Sequence, residues 1–484
     1  MNLMKKRQKN INLKVHKITM KKLKRQVKGI TLIALVVTVI VLLILAGVAI
    51  SLTVGDNGLF RRAQNATDTW QEASEREAIE LAVAGMQIGS MQETGMTKQE
   101  LENSLKEQFG DEASVEDNED GSFLVTIGEN KYYVGEDGEI IDSSNMVKIS
   151  TAEELKAFRD DVNSGNTYEG KYVYLTNDIT LDSSEEWEPI GKAEQTIGLE
   201  IDDKRHTPFK GIFDGNKHSI KSININTTNK GQGLFGLVVG GTIKNLSIGE
   251  SIIKGGAAVG GIVGYMRNDG TITNCSSNST VSGTSFVAGI VGFCNKNCYI
   301  SYNENKGIIN NTGDYTGGIV GNFGNNSDIF RCHNSGTITG TRFVGGIIGS
   351  GSTNANISEV YNDGEITGST DKKGDGTGGI AGRIYNNVNI NNSYNTGNVS
   401  SEGSNSKVGG IVGYLNQGTI INCYNIGEIT GNTNGPIFGN SIGENNTISN
   451  CFSLGDSFNY ENLGNAFKED TNNINNGYPI FTWQ

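Results

Sequence analysis

The 484-residue chain holds 66 Gly against only 4 Pro, and after about residue 230 the Gly recur among Ile and Val. This excludes collagen, which needs Pro and a glycine every third residue, and a disordered tail, which lacks β-branched apolar residues. The formal charge of −13 is uneven: Met1 to Gly29 carries 11 Lys and Arg and no acid, leaving 29 basic against 53 acidic residues after it. An acidic body of this size argues against nucleic acid as a partner.

Residues 30–54 form an uncharged run of 25 residues, longer than the roughly 20 that span a bilayer as a helix. It also exceeds the apolar region of a secretory signal, about 7 to 15 residues, and no A-x-A-like site follows it directly. Lys21, Lys22, Lys24, Arg25 and Lys28 flank the run and mark the cytoplasmic side. The expectation is a single-pass cell-membrane protein whose bulk, after Asp56, is extracellular.

The residues Lys28-Gly29-Ile30-Thr31-Leu32-Ile33 resemble the processing site of type IV prepilins of Gram-positive bacteria. The resemblance implies a prepilin peptidase that cuts after Gly29, methylation of the new Ile30 amine, and pilin-like subunits as partners. The family's glutamate at the fifth mature position is Ala34 here, so polymerisation stays open beside an uncleaved single-pass anchor.

Further along, Trp70 to Leu81 carries helix formers and predicts a stalk helix. Thr97 with Glu100 is a capping-box spacing, and it opens a second helix with Leu101, Leu105 and Phe109 on one face. Phe123, Val125 and Ile127 then alternate, and Tyr132-Tyr133-Val134 and Ile140 follow between turns, which predicts a short antiparallel meander. Residues 55–145 thus read as a helical stalk and a small α+β region of pilin-like layout, with a generic spacer as the alternative.

Ser150-Thr151-Ala152-Glu153-Glu154-Leu155 opens a capped helix with Leu155 and Phe158 on its apolar face. The helix and the strands after it, over residues 146–233, are expected to cap the first coils of a solenoid. Over residues 234–456 the pairs Ile262-Val263, Ile290-Val291, Ile319-Val320, Ile347-Ile348, Ile380-Ala381 and Ile411-Val412, each followed by Gly, recur with Leu234-Phe235-Gly236 before and Ile437-Phe438-Gly439 after. Their spacings are 28, 28, 29, 28, 33, 31 and 26 residues. Three strand-like pieces per unit of about 29 residues predict a parallel β-helix, because one coil cannot bury its apolar side but stacked coils can.

A second register runs through Leu246, Cys275, Tyr302, Cys332, Val360, Ser393, Cys423 and Cys451. Six residues on, it meets Ile252, Val281, Ile308, Ile338, Ile366, Val399 and Ile429. Asn334, Asn362, Asn395 and Asn425 recur two residues after the first of these, and stacked asparagines can hydrogen-bond along the axis. Cys423 and Cys451 fall on neighbouring rungs, where a stacked pair of buried thiols is favoured over a bond. Residues 457–484, with Tyr478, Phe481 and Trp483, are read as a C-terminal cap that plugs the last coil.

These repeats resemble the GLUG-repeat family of bacterial surface proteins over about residues 230 to 456. The resemblance implies surface display; the H-E-x-x-H of metallopeptidases that carry such repeats is missing from this sequence. The four histidines are His16, His206, His218 and His333. Cys294-x-x-x-Cys298 lacks a second ligand pair, so no metal and no cofactor are expected. Asp214 with His218 is the compact acid/base cluster that a polysaccharide-degrading β-helix enzyme would use, but Asp214-Gly215-Asn216 reads first as a turn.

The fold expected is mainly β: a parallel β-helix of about 29-residue coils, preceded by an N-terminal transmembrane helix and a small α+β region. The function expected is a membrane-anchored surface protein, not an enzyme, whose solenoid binds glycans or envelope polymers through exposed residues that include Tyr361, Tyr394 and Tyr424.

Overall fold

The computed structural model describes residues 59–89, 97–117, 122–135, 138–193, 206–369, 375–442, 445–453 and 463–484. The basic leader, the apolar run at 30–54 and the Gly29–Ile30 site lie outside them. Among the described residues no helix is long and apolar enough to cross a membrane. The chain divides into two compact units, Met1–Ile140 and Ile141–Gln484.

In the first unit the stalk helix runs from Leu59 to Gly89 (α1), well past the stretch of helix formers expected to start it. Thr97 caps the helix Lys98–Phe109 (α2), its hydroxyl accepting the Glu100 amide at 3.4 Å. Four strands follow in the order of the chain: β1 (Ala113–Asp117), β2 (Phe123–Ile127), β3 (Asn130–Val134) and β4 (Ile140–Asp142). β1 and β2, and β2 and β3, pair antiparallel as the alternation requires. Ile79 and Val83 of α1, Leu101 and Leu105 of α2, and Val115, Val125 and Val134 of the sheet share one core. Glu75, 2 % exposed, enters its edge fully bonded: Tyr132 Oη and Asn130 Nδ2 each donate to Oε2 at 2.8 Å, and Gln71 Nε2 to Oε1 at 2.9 Å.

The second unit is a parallel β-solenoid of about ten coils of about 28 residues. Met146–Ile149 pairs with Tyr172–Leu175, and that strand with Ile212–Asp214, which starts a column of parallel strands ending at Thr447–Ser449. The helix Ala152–Ser164 (α3) begins in a capping box of Thr151 and Glu154. Its Leu155, Phe158 and Val162 join the solenoid core, with the Phe158 ring 5.8 Å from Phe209 and 5.9 Å from Phe213.

The G-I-x-G signature has a steric cause. A Cβ on Gly346 would lie 2.2 Å from Gly379 O and 2.5 Å from the buried Asn362 side chain. One on Gly349 would lie 2.5 Å from Gly321 O and from Thr316 N. The backbones of neighbouring coils touch at these points, and the Ile between them fills the core.

The second register needs correction by one residue in three places. Ile252 and Ile308 are 61 % and 49 % exposed, and their neighbours Ile253 and Ile309 take the core ladder, with Val281 between them. After Leu246 the turn holds one residue more than in later coils, and both candidates in each Ile-Ile pair are equally apolar. Tyr302 is 48 % exposed at φ 55°, and Asn303 takes the core position. Asn303 is tolerated there because its Oδ1 accepts Cys275 N and its Nδ2 donates to Ile272 O, both at 2.9 Å.

The asparagine ladder is present and one rung longer than expected. Asn305, Asn334, Asn362, Asn395 and Asn425 are buried, and each Nδ2 donates to the next Oδ1 at 2.7, 2.6, 2.7 and 2.6 Å. All six cysteines are free thiols, Cys423 buried and Cys451 partly exposed.

The C-terminal segment does not plug the last coil. Phe467 and Phe481 pack along the side of the solenoid on Tyr361, Tyr394 and Tyr424. Those three rings stack with His333 at centroid spacings of 3.8, 5.0 and 4.9 Å. Stacked aromatic rings offered at rung spacing are a better template for other aromatics than the small final coil. Tyr394 and Tyr424 are therefore buried, and not the exposed contact residues expected.

Candidate ligand-binding face

Neither of the acid/base pair expected at the first coils meets the other. Asp214 accepts hydrogen bonds from Tyr172 Oη, from Asn216 N at 2.7 Å and from Asn245 Nδ2 at 3.0 Å, with Lys244 Nζ at 3.7 Å. His218 Nδ1 instead lies 3.6 Å from Asp178 Oδ1. Asn216 and Lys217 hold φ of 49° and 65°, so the segment is the tight turn that its Asp-Gly-Asn sequence suggests. Cys294 and Cys298 are buried around Ser327, whose hydroxyl accepts Cys298 N at 2.9 Å.

A second aromatic array lies on another face of the solenoid. Phe286, Tyr315 and Phe343 occupy one column, each four residues before the core Ile of its coil, and stack at 5.0 and 5.2 Å with interplanar angles of 10° and 22°. All three hold positive φ, at 54°, 65° and 51°. For bulky side chains that conformation costs about 1–3 kcal/mol each, and such strain clusters where function requires a set geometry. Beside them runs the column three residues after the core Ile, with Tyr265, Phe293 and Arg383. Phe293 lies edge-on to Phe286 at 5.3 Å and to Tyr265 at 5.9 Å.

Arginines complete the strip. The Arg383 guanidinium sits 4.0 Å from the Phe343 ring and 4.5 Å from Tyr385, and its Nε donates to Ser350 Oγ at 3.2 Å. Arg342 lies 4.9 Å from Phe343 and is held between Asp314 Oδ2 at 3.0 Å and the buried Asp375 Oδ2 at 2.8 Å. Arg267 lies 5.7 Å from Tyr265 and 5.5 Å from Phe293. Phe286, Phe293, Tyr315 and Arg383 are half-buried, so flat ring faces and planar cations remain reachable from solvent. The sequence does not single out the strip, because half-buried rings carry the same letters as core rings; fixed offsets of four before and three after each core Ile would have found it.

Another column carries a titratable cluster. His333 Nε2 pairs with Asp363 Oδ1 at 2.9 Å and Nδ1 with Glu304 Oε1 at 3.5 Å, while Lys306 Nζ meets Glu304 Oε2 at 2.8 Å and Tyr361 covers the imidazole. Burial opposes the His333 charge, but the bonds to Asp363 and Glu304 outweigh it and raise its pKa. The His333 hydrogen bond, against burial and with help from Lys306, holds Glu304 down to about 2. His333 thus stabilises the fold fully below its ordinary value of 6.5 and loses that contribution as pH rises through the raised one. Glu304 contributes above its ordinary 4.5 and loses it as pH falls toward about 2. The melting temperature is expected to fall on the alkaline side of this window. In thermal melts from about pH 5 to about pH 9, His333→Gln should flatten that fall.

A family model described as the GLUG motif matches residues 255–282 and 404–430. The solenoid carries GLUG motifs. Both matched stretches belong to coils of the parallel stack, and each holds a pair of close-approach glycines around its core Ile, Gly261 with Gly264 and Gly410 with Gly413. Among curated proteins, halomucin of Haloquadratum walsbyi (strain DSM 16790 / HBSQ001) is 26 % identical over 216 residues. That match covers 42 % of this chain and only 2 % of halomucin's own length. Among solved structures, a Bacteroides ovatus protein assigned by name to the immunoglobulin A1 proteases aligns at a TM-score of 0.41 and 21 % identity, over 71 % of this chain and 94 % of that one. A structure named IgA1 protease aligns at 0.41 and 17 %, over 70 % of this chain and 25 % of that one.

The expectation that the chain is not an enzyme does not stand against this finding, since both solved structures carry protease names. At this TM-score and identity the likeness does not assign their activity to the GLUG solenoid either.

Proposed function

We propose that this is a bacterial surface protein, tethered to the cell membrane by residues 30–54, whose GLUG solenoid binds glycans or envelope polymers along the aromatic and arginine strip. The observation that carries the reading is the run of half-exposed rings at rung spacing, held by three strained backbones on the outward side of a rigid scaffold. Sugar rings present flat CH faces that pack on aromatic rings, and planar guanidinium groups bond their oxygens. A repeated strip suits a repeated polymer, because linked weak contacts add into avidity.

At the N-terminus the reading includes processing by a prepilin peptidase after Gly29, with methylation of Ile30 and pilin-like subunits as partners; an uncleaved single-pass anchor is the alternative. Intact mass and N-terminal sequencing of the membrane-derived protein distinguish the two.

The test of the solenoid is binding of the full-length protein to a panel of immobilised polysaccharides. Tyr315→Ala removes the middle ring of the stack and is expected to weaken capture about tenfold or more, as loss of a central aromatic anchor does. Binding unchanged by both Tyr315→Ala and Phe293→Ala would sink the reading.

A further inference from the structure

The strip holds one arginine to which the described residues offer neither a carboxylate nor a side-chain hydrogen bond. Arg267 is 8 % exposed and Tyr265 4 %. They lie two residues apart on Val263–Arg267, with both side chains on the outward side of that strand. Neither Arg267 Nε nor the Tyr265 hydroxyl has a hydrogen-bond partner, and Arg267 makes no ion pair among the described residues. Its surroundings are ring faces: Tyr265 and Phe293. The other two arginines of the strip differ, since Arg342 is held by two carboxylates and Arg383 by Ser350.

A buried charge without a partner is among the costliest features a fold can retain, and burial of a donor without an acceptor adds to it. Both donors lack an acceptor, and a cavity opens across Gly231 from the Tyr265 ring, although neither residue lines it. The Tyr265 ring passes Gly231, where a Cβ would lie 3.0 Å from its Cδ2. Gly231 lines a cavity of 650 Å³ together with Lys192, Ala193, Lys230 and Gln232. Glu186 and Glu188 also border it, and Glu188 is engaged by Lys192 at 2.7 Å.

The geometry points to an anion-binding subsite formed by Arg267 and Tyr265 at the N-terminal end of the strip, which takes the carboxylate of an acidic, uronate-type glycan whose neutral sugar faces lie along Phe293, Phe286 and Tyr315. This rests on the strip being the glycan face and adds the ligand's charge. The guanidinium and the phenol hydroxyl both donate to the carboxylate, and the flanking rings exclude water from the pair.

The test uses full-length protein with polygalacturonate and, as the neutral control of the same backbone, its fully methyl-esterified form, by isothermal titration at low and high salt. Polygalacturonate is expected to bind more tightly than the ester, with a preference that shrinks as salt rises. Arg267→Gln should weaken polygalacturonate by about 10- to 100-fold and Tyr265→Phe by about 3- to 10-fold, while the ester is unaffected by either. Without polymer, Arg267→Gln should leave the melting temperature unchanged or raise it, because the charge it removes has no partner. A lower melting temperature would show that the protein already satisfies Arg267 and overturn the proposal. Equal binding of both polymers, unchanged in Arg267→Gln, overturns the subsite and leaves the strip reading intact. Binding of neither overturns the subsite, and the polysaccharide panel with Tyr315→Ala then decides the strip separately.

Discussion

Replacing Asn362 by leucine is expected to cost about 3–5 kcal/mol, although leucine is nearly the same size and more apolar, because several buried polar groups lose partners at once. Asn362 Oδ1 accepts from Asn334 Nδ2 at 2.6 Å, and its Nδ2 donates to Asn395 Oδ1 at 2.7 Å and to Gly364 O at 2.9 Å. Leucine leaves the Asn395 oxygen and the Gly364 carbonyl without these donors, and water cannot reach the site, since Asn334, Asn362 and Asn395 are each 0 % exposed. Urea unfolding should show a lower midpoint, and hydrogen exchange should show the loss centred on neighbouring coils, since each coil of a solenoid contacts mainly its neighbours. The same change at Asn425, the end of the ladder, removes one inter-rung bond instead of two and should cost clearly less. Equal costs at the two positions would mean that the ladder does not act through its hydrogen bonds.

How much of this was legible in the sequence depended on whether a residue repeats for steric reasons. The G-[IL]-x-G spacing marks the contact between neighbouring coils, so it survives repeat lengths from 28 to 33 residues and reveals the solenoid; the last unit, with Pro436 before Ile437, keeps only the second glycine. The ladder asparagines were legible for the same reason, at Asn334, Asn362, Asn395 and Asn425. Asn305 escaped because its coil was registered on Tyr302, where an apolar expectation outweighed a polar core residue that the structure satisfies through backbone groups. Ile253 and Ile309 escaped because hydrophobicity cannot choose within an Ile-Ile pair; only pairing can. Asp214 and His218 looked like a site because they lie four positions apart, yet a turn at positive φ sends their side chains to different partners. The strip was illegible for a further reason: half-buried rings carry the same letters as core rings, and only the outward side of the strand tells them apart.

The same ambiguity governs the C-terminal segment, where aromatic residues suggested a plug and the structure sets them along the side. Phe481 is fully buried between Tyr394 at 5.0 Å, Phe467 at 4.9 Å and Trp483 at 5.0 Å. Phe481→Ala is therefore expected to remove about 3–5 kcal/mol of docking energy, the usual cost of truncating a buried aromatic. The loss should fall on the segment and not on the coils, because the coils keep their own core. Trp483, whose Nε1 donates to Glu359 Oε2 at 2.9 Å, would move into water, and limited proteolysis should trim residues 463–484 while the solenoid stays protected. The tyrosines supply an independent readout. Burial raises the Tyr361 hydroxyl to about 12 and pushes those of Tyr394 and Tyr424 above their ordinary value. A phenol held neutral in the fold stabilises it below its unfolded pKa of about 10 and loses that contribution as pH rises further. In Phe481→Ala these hydroxyls should titrate near about 10, seen as earlier tyrosinate absorbance, and the alkaline loss of stability should shrink with them. Unchanged titration would mean that the coils themselves bury the tyrosines and that the segment merely rests on them.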